Sequence, residues 1–255
     1  MFLGDKGKPN KFRTLRLNYD IIIDNEKLTL QKLTRNLGFY TVRFAGSMKE
    51  VETVYDTEKK LFSGAGLILR KKTTPARTYF SLVRISSISS PENREKKTFM
   101  GECELQDQPS DFPVQIADQI NKVFNNLFTV NVVDIVKHCT PYIRIDITGN
   151  RYKIVSGTGY EAEISFENLK VRNARNGRKG TVRNFSIKME LNPDFERERL
   201  QILDVIDRYC KELAPLNRNR FEIGEILVRD LQPRDKETKK DKNKKKKKEE
   251  ENAEE

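Results

Sequence analysis

The chain has 255 residues, of which 49 are Lys or Arg and 38 are Asp or Glu, giving a formal net charge of +11. Residues 234–255 hold ten basic and eight acidic side chains, so residues 1–233 carry the remaining +9, which favours a phosphate, nucleotide or nucleic-acid partner. Three scattered cysteines and a single histidine exclude a zinc site and a disulfide framework. No apolar run approaches the roughly 20 residues that cross a bilayer, and without a signal peptide we expect a cytoplasmic protein.

The first part of the chain predicts a strand, a helix and then several further strands. In Phe12–Ile23 the odd positions from Leu15 to Ile23 are apolar and the even positions from Thr14 to Asp20 are polar, which is the period of a strand with one buried face. Asn25 is suited to cap a helix that ends at Gly38. Further strands are expected near residues 50–56, 66–72, 78–85 and 98–106.

The rest of the chain predicts two more helices among further strands. One helix is expected from Ser110 or Asp111, and another from Asn192-Pro193. The latter should bury Phe195, Ile202, Leu203, Ile206, Tyr209, Cys210 and Leu213. Strands are expected at Tyr142–Ile147, 151–156, Glu161–Glu167, Asn184–Leu191 and 222–228. Lys236–Glu255 is almost wholly charged, so it predicts a disordered tail.

Eight or more strands with few helices predict an α+β fold, in which a closed antiparallel β-barrel has helices packed outside it. We expect one domain over residues 1–233, followed by the tail at 234–255. The polar faces of the strands carry charges of both signs, which on an open sheet would simply meet water. In a closed barrel they would line the lumen, where basic groups can hold phosphate and carboxylates two residues apart can hold Mg²⁺ or Mn²⁺.

Three segments carry a family resemblance. Tyr55-Asp56-Thr57, followed by Gly66-Leu67 and Leu69-Arg70-Lys71-Lys72, resembles the "YDT…L…G…LR.R" segment of the CYTH domain, the triphosphate tunnel metalloenzyme superfamily. Residues 162–167 look like its "iElalD" strand, and residues 219–224 are similar to its closing "SKyerG" element. The resemblance implies an eight-stranded antiparallel tunnel that binds triphosphate with a divalent metal ion, as in inorganic triphosphatases, RNA triphosphatases and class IV adenylate cyclases.

The resemblance also implies site residues in this sequence. The basic positions that match its phosphate-binding residues are Arg70, Lys72, Arg84, Arg144 and Arg220. The acidic positions that match its metal-binding strands are Glu102, Glu104, Glu163, Glu167 and Glu190. Mg²⁺ or Mn²⁺ would be the cofactor, and a triphosphate or polyphosphate would be the ligand.

The sequence departs from the family at its opening signature, Glu-x-Glu-x-Lys. Arg16 and Asn18 stand where the two carboxylates are expected, and Asp20 stands where the lysine is expected. In the late Glu-x-Glu strand, Lys188 replaces the first acid and Glu190 remains. A cation at a metal site opposes the metal by several kcal/mol, so we expect weak or absent metal-dependent hydrolysis.

Three functions follow from these observations. The first is a CYTH-like protein that binds triphosphate or polyphosphate and hydrolyses it weakly with metal. The second is a non-catalytic binding module that keeps the basic residues. The third is a nucleic-acid-binding module, for which the sequence has the net charge and no RNA-reading motif.

Overall fold

The computed structural model describes residues 14–89, 95–104, 114–124, 131–216 and 218–228, with only the backbone described between residues 84 and 104. The predicted tail at 234–255 lies outside the described residues. No helix in the described ranges is long and apolar enough to span a membrane.

Nine antiparallel strands of the described ranges form one sheet. They are β1 Thr14–Ile21, β2 Thr41–Asp56, β3 Leu67–Thr73, β4 Thr78–Ser89, β5 Glu95–Glu104, β6 Thr140–Val155, β7 Glu161–Asn173, β8 Lys179–Glu190 and β9 Leu213–Leu216. Their order is β5-β4-β3-β2-β6-β7-β8-β1-β9.

The sheet curls until its two ends meet, which confirms the predicted α+β tunnel with helices outside. One edge of β1 pairs with β8 along Thr14–Asp20. Its other edge is shared, since Asn18–Ile21 pairs with β9 while Arg16 pairs with Phe99 of β5. The pairing with β5 joins the first and last strands of an eight-stranded ring.

Six α-helices and one short 3-10 turn accompany these strands in the described ranges. The helices are α1 Glu26–Asn36, α2 Leu61–Gly64, α3 Val114–Phe124, α4 Val132–Lys137, α5 Glu196–Tyr209 and α6 Arg220–Leu227, and the 3-10 turn is Pro193–Phe195. The predicted cap of the first helix is confirmed, because the Asn25 side chain accepts a hydrogen bond from the backbone N–H of Leu28. Asn192 likewise caps the 3-10 turn that leads into α5.

Two apolar cores lie between the outer face of the ring and the helices. Alternate residues of β1, β7 and β8, such as Leu17, Ile164 and Ile187, pack against α1 and α5. Leu67 and Leu69 of β3 pack against α3 and α4. Because strand side chains alternate between faces, the intervening polar residues of these strands face the inside of the ring.

Helix α6 fills one end of the tunnel. Phe221 and Val228 pack against inward-facing residues of the ring, including Ile143, Ile145 and Val171. A Cβ added at Gly224 would lie 3.1 Å from Val171 Cγ1, so the helix touches the wall of the tunnel directly. The prediction of a strand at 222–228 is wrong: Asn219 caps a helix there through a capping box with Glu222.

Two other expectations need correction. The strands expected at Tyr142–Ile147 and 151–156 are parts of one long strand, β6. Tyr209, expected to be buried on α5, is 46% exposed, since it lies at the last residue of that helix. Ile202, Ile206, Cys210 and Leu213 are buried as predicted, while Phe195 and Leu203 are partly buried.

Candidate anion site in the tunnel

The half of the tunnel that α6 leaves open is lined by charged and polar side chains. Register and alternation bring them to the same side from seven strands and from the first residue of α6. Those described at side-chain level are Arg16, Asn18, Glu50, Glu52, Arg70, Lys72, Ser81, Arg151, Glu163, Ser165, Glu167, Asn184, Ser186, Lys188 and Arg220.

Arg220 is the centre of the innermost layer. The capping box that starts α6 fixes its backbone, so the side chain extends from the helix into the tunnel. Its Nε donates to Glu167 Oε2 at 2.8 Å, its Nη2 donates to the other oxygen of Glu167, and its Nη1 donates to Glu52 Oε1 at 3.1 Å. One guanidinium therefore connects β7 with β2 across the ring.

Both carboxylates of this layer have further donors. Arg70 Nη1 donates to Glu52 Oε2 at 2.8 Å, and Arg70 Nε donates to Ser81 Oγ at 3.0 Å. Asn184 Nδ2 donates to Glu167 Oε2 at 2.9 Å. The lone pairs of Glu52 and Glu167 are thus engaged by protein donors, which is the condition for keeping a buried charge.

A second layer lies nearer the open end. Glu50 accepts from Lys72 at 3.0 Å and from Arg151 at 2.7 Å, and Arg151 Nε lies 3.4 Å from Glu163. Side-chain exposure rises along this path, from 3% for Arg220 through 13% for Lys72 to 32% for Arg151. The tunnel therefore opens to solvent on the side of Arg151 and Glu163.

The buried ion pairs fix the charge state of the innermost layer. Burial alone would raise the pKa of Glu167, but Arg220 and Arg16 outweigh it and lower that pKa to about 2. Burial also opposes ionisation of Glu52, whose pKa is nonetheless lowered by Arg70 and Arg220. Both carboxylates are therefore ionised at neutral pH.

Arg16 differs from the other cations of the tunnel. It faces the lumen from β1, opposite Lys188 of β8 in the register. Glu167 and Glu52 attract it from a distance, while burial and then Arg220 lower its pKa. Within the described part of the chain, Arg16 makes no ion pair or side-chain hydrogen bond, yet arginine stays protonated in proteins.

The structure brings together some of the residues that the sequence predicted. Arg70, Lys72 and Arg220 of the basic set, and Glu163 and Glu167 of the acidic set, lie in the two layers. Glu190 is exposed at the end of β8, opposite Thr14.

Three predicted positions are known only from the backbone. Glu102 and Glu104 lie opposite Val83 and Ser81, which face the lumen. Arg84 lies opposite Leu67, which packs on the outer face. Arg144, whose side chain is described, is exposed on the outer face of β6 and pairs with Asp146 at 3.0 Å.

Sequence reasoning missed Glu50, Glu52 and Arg151 as members of the site. Glu50 and Glu52 are two residues apart on β2, shortly before Tyr55-Asp56-Thr57, so the same alternation that identified the other strands could have placed them in the lumen. Arg151 carried no such signal, because its place depends on the pairing of β2 with β6.

A divalent metal ion, which the resemblance implies, does not fit the side chains that the structure describes. The positions that should supply its first two carboxylates are Arg16 and Asn18, and both oxygens of Glu52 and of Glu167 are held by arginines. No group of three Asp, Glu, His or Cys side chains in the described ranges is close enough to share a metal ion.

No protein-family model matches the sequence, and no curated protein does either. Among solved structures, a protein from Hippeastrum, described as a candidate adenylyl cyclase with a dominant triphosphatase activity, has 12% identity and a TM-score of 0.47 over 84% of this chain and 95% of its own. A protein from Pyrococcus horikoshii has 14% identity and a TM-score of 0.43, over 82% and 97%. The triphosphatase of the mimivirus capping enzyme has 8% identity and a TM-score of 0.33, over 75% and 90%. These similarities concern the backbone fold only.

Proposed function

We propose that the open half of the tunnel binds a triphosphate or polyphosphate anion through Arg16, with Lys72 and Arg151 nearer the entrance, and that binding needs no divalent metal ion. Hydrolysis of the bound phosphoanhydride is slow or absent. The observation that carries the proposal is Arg16, a half-buried guanidinium that faces the lumen with no carboxylate partner in the described ranges.

The charge balance of the described side chains in the innermost layer favours an anionic partner for Arg16. Arg16, Arg70 and Arg220 face two described carboxylates, Glu52 and Glu167, which leaves one positive charge. A half-buried cation with no partner among the described side chains is costly, and a phosphate oxygen would offset that cost. The fork of donors on a guanidinium matches two oxygens of one phosphate group.

The shape of the tunnel supports a ligand that enters by one end. Helix α6 occupies the inner half, and among the described ion pairs of the lumen the exposure increases toward Arg151 and Glu163. A chain of phosphates that ends inside the tunnel suits this geometry, whereas a polymer that threads through it does not. Terminal triphosphates and short polyphosphates are therefore the ligand class that we propose.

Calorimetric titration of the full chain with tripolyphosphate in EDTA tests the proposal. We expect binding without metal, and we expect Arg16→Gln to weaken it at least tenfold, since a hydrogen bond to a charged group contributes about 1.5–3 kcal/mol. Arg144→Gln is the matched control, because it removes the same charge from the outer face and should leave the affinity nearly unchanged. Absence of binding in EDTA, or equal affinities for both variants, would contradict the proposal.

A further inference from the structure

A row of basic side chains crosses the outside of the ring, away from the tunnel and from the helices. In the register, Lys71 of β3 lies opposite Thr53 of β2, which lies opposite Arg144 of β6. Arg144 lies opposite Arg172 of β7, which in turn lies opposite Lys179 of β8. Neighbouring strands are about 4.8 Å apart, so this row spans roughly 19 Å of the sheet.

The next row in the same face extends the positive surface. Asp146 of β6 lies opposite Lys170 of β7, which lies opposite Thr181 of β8. Asp146 is the only acidic residue in these two rows, and it is paired with Arg144 at 3.0 Å. A groove of about 520 Å³ runs between the rows and is lined by both of these residues together with Lys170, Arg172, Lys179 and Thr181.

Three cations of this surface are available to a partner. Lys170, Arg172 and Lys179 are all exposed, and none of them forms an ion pair with a described residue. The inward-facing neighbours Ile145 and Val171 pack on α6, so the strands beneath the surface are held by a buried core. The surface is thus a rigid cationic platform with an open groove.

We propose that this platform, made of Lys170, Arg172, Lys179 and Arg144, binds the phosphodiester backbone of a nucleic acid. The chemistry of the surface favours this partner, because Lys and Arg contacts to phosphates supply most of sequence-independent binding. The two rows expose no large apolar side chain, which argues against a docked protein helix or an inserted membrane segment. This inference is independent of the tunnel, since these side chains point away from the lumen.

Fluorescence anisotropy with a single-stranded RNA that lacks a terminal triphosphate tests the platform in the full chain. The test variant is the triple change Lys170→Gln, Arg172→Gln and Lys179→Gln. The matched control removes three exposed cations from α1 and α5, by the changes Lys27→Gln, Arg35→Gln and Arg197→Gln. Both variants lose the same charge and keep the lysine-rich terminus.

We expect the unmodified chain to bind the RNA and the platform variant to bind at least tenfold more weakly. The slope of log affinity against log salt should become shallower by about 2, since each phosphate contact on a single strand contributes about 0.7. The control variant should keep most of the RNA affinity and most of its salt dependence. The platform variant should still bind tripolyphosphate, which shows that it is folded and that the two sites are separate.

Three results would overturn the proposal. They are no RNA binding by the unmodified chain, equal losses in the platform and control variants, and binding to phosphatidylserine vesicles with none to RNA. The last result would identify the surface as one that recognises anionic lipid rather than nucleic acid.

Discussion

Glu167 shows most clearly how single side chains organise the tunnel. It receives two hydrogen bonds from Arg220 and one from Asn184, and it is 2% exposed. Replacing it would leave the guanidinium of Arg220 partly unpaired in a buried layer. Removing one partner of a buried ion pair typically costs about 3–5 kcal/mol.

Glu167→Gln should therefore lower the free energy of unfolding at neutral pH by about 3 kcal/mol or more. Because the pKa of Glu167 falls to about 2 in the folded chain, its stabilising contribution is present above its unfolded pKa, about 4.3. That contribution is lost as the pH falls from there toward 2, so the variant should show a smaller loss of stability over this range.

Denaturant unfolding at several pH values measures both effects. Glu163→Gln, at the more exposed entrance, is the matched control and should lower the free energy of unfolding only slightly. Equal pH dependence in the unmodified chain and in Glu167→Gln would show that the pair with Arg220 does not set the acid stability.

The residues at positions 16, 18 and 188 decide whether the tunnel can use a metal ion. We expect slow or no release of phosphate from tripolyphosphate by the unmodified chain with Mg²⁺ or Mn²⁺. The triple change Arg16→Glu, Asn18→Glu and Lys188→Glu should raise the rate of phosphate release, because carboxylates supply the oxygen ligands that these ions prefer.

The same three positions changed to Gln form the control, which removes the positive charges without adding carboxylates. Both variants must first be shown to be folded. Rapid metal-dependent hydrolysis of tripolyphosphate by the unmodified chain would refute the inference that its metal site is weakened.

At the scale of elements, α6 separates the tunnel into an apolar half and a charged half. Gly224 allows this helix to lie against the strands, with Val171, Ile143 and Ile145 all close to the position of a Cβ. Gly224→Leu should destabilise the chain by about 1–3 kcal/mol through overpacking. Gly64→Leu is the control, since no atom lies within 4 Å of a Cβ at Gly64. If both variants have the same melting temperature, α6 does not fill the tunnel.

Most strands were predictable because they bury one face, and the alternation in β1, β7 and β8 records that burial directly. Helix α6 was not, because Phe221 and Ile223 alternate over a short segment and fit either a strand or a helix. The site was predictable where it rests on the motif around Arg70 and on Glu167. The links from Arg220 to Glu52 and from Arg151 to Glu50 depend on strands that are distant in sequence, so no local pattern indicates them.

At the scale of the whole molecule, most of the described charges inside the ring are paired with one another, whereas the outer face of β6, β7 and β8 carries exposed cations. This distribution separates two kinds of anion recognition. Among the described residues, the tunnel has one guanidinium without a carboxylate partner for a small ligand, and the outer face of β6, β7 and β8 has exposed cations without an ion pair for an extended one.

The charged terminus should contribute to neither fold nor tunnel. Deleting Lys236–Glu255 should leave the melting temperature and the affinity for tripolyphosphate nearly unchanged, because this segment has almost no apolar side chain to bury. Thermal unfolding and calorimetry of the shortened chain check this. A drop of more than a few degrees would mean that the terminus packs on the domain.

A crystal structure of the full chain grown with tripolyphosphate in EDTA tests the central claim most directly. The account predicts a phosphate group within hydrogen-bonding distance of the Arg16 guanidinium, with the rest of the ligand extending toward Lys72 and Arg151 and no metal ion between them. Tripolyphosphate bound elsewhere, or a tunnel in which Arg16 contacts a protein carboxylate and no ligand, would contradict it.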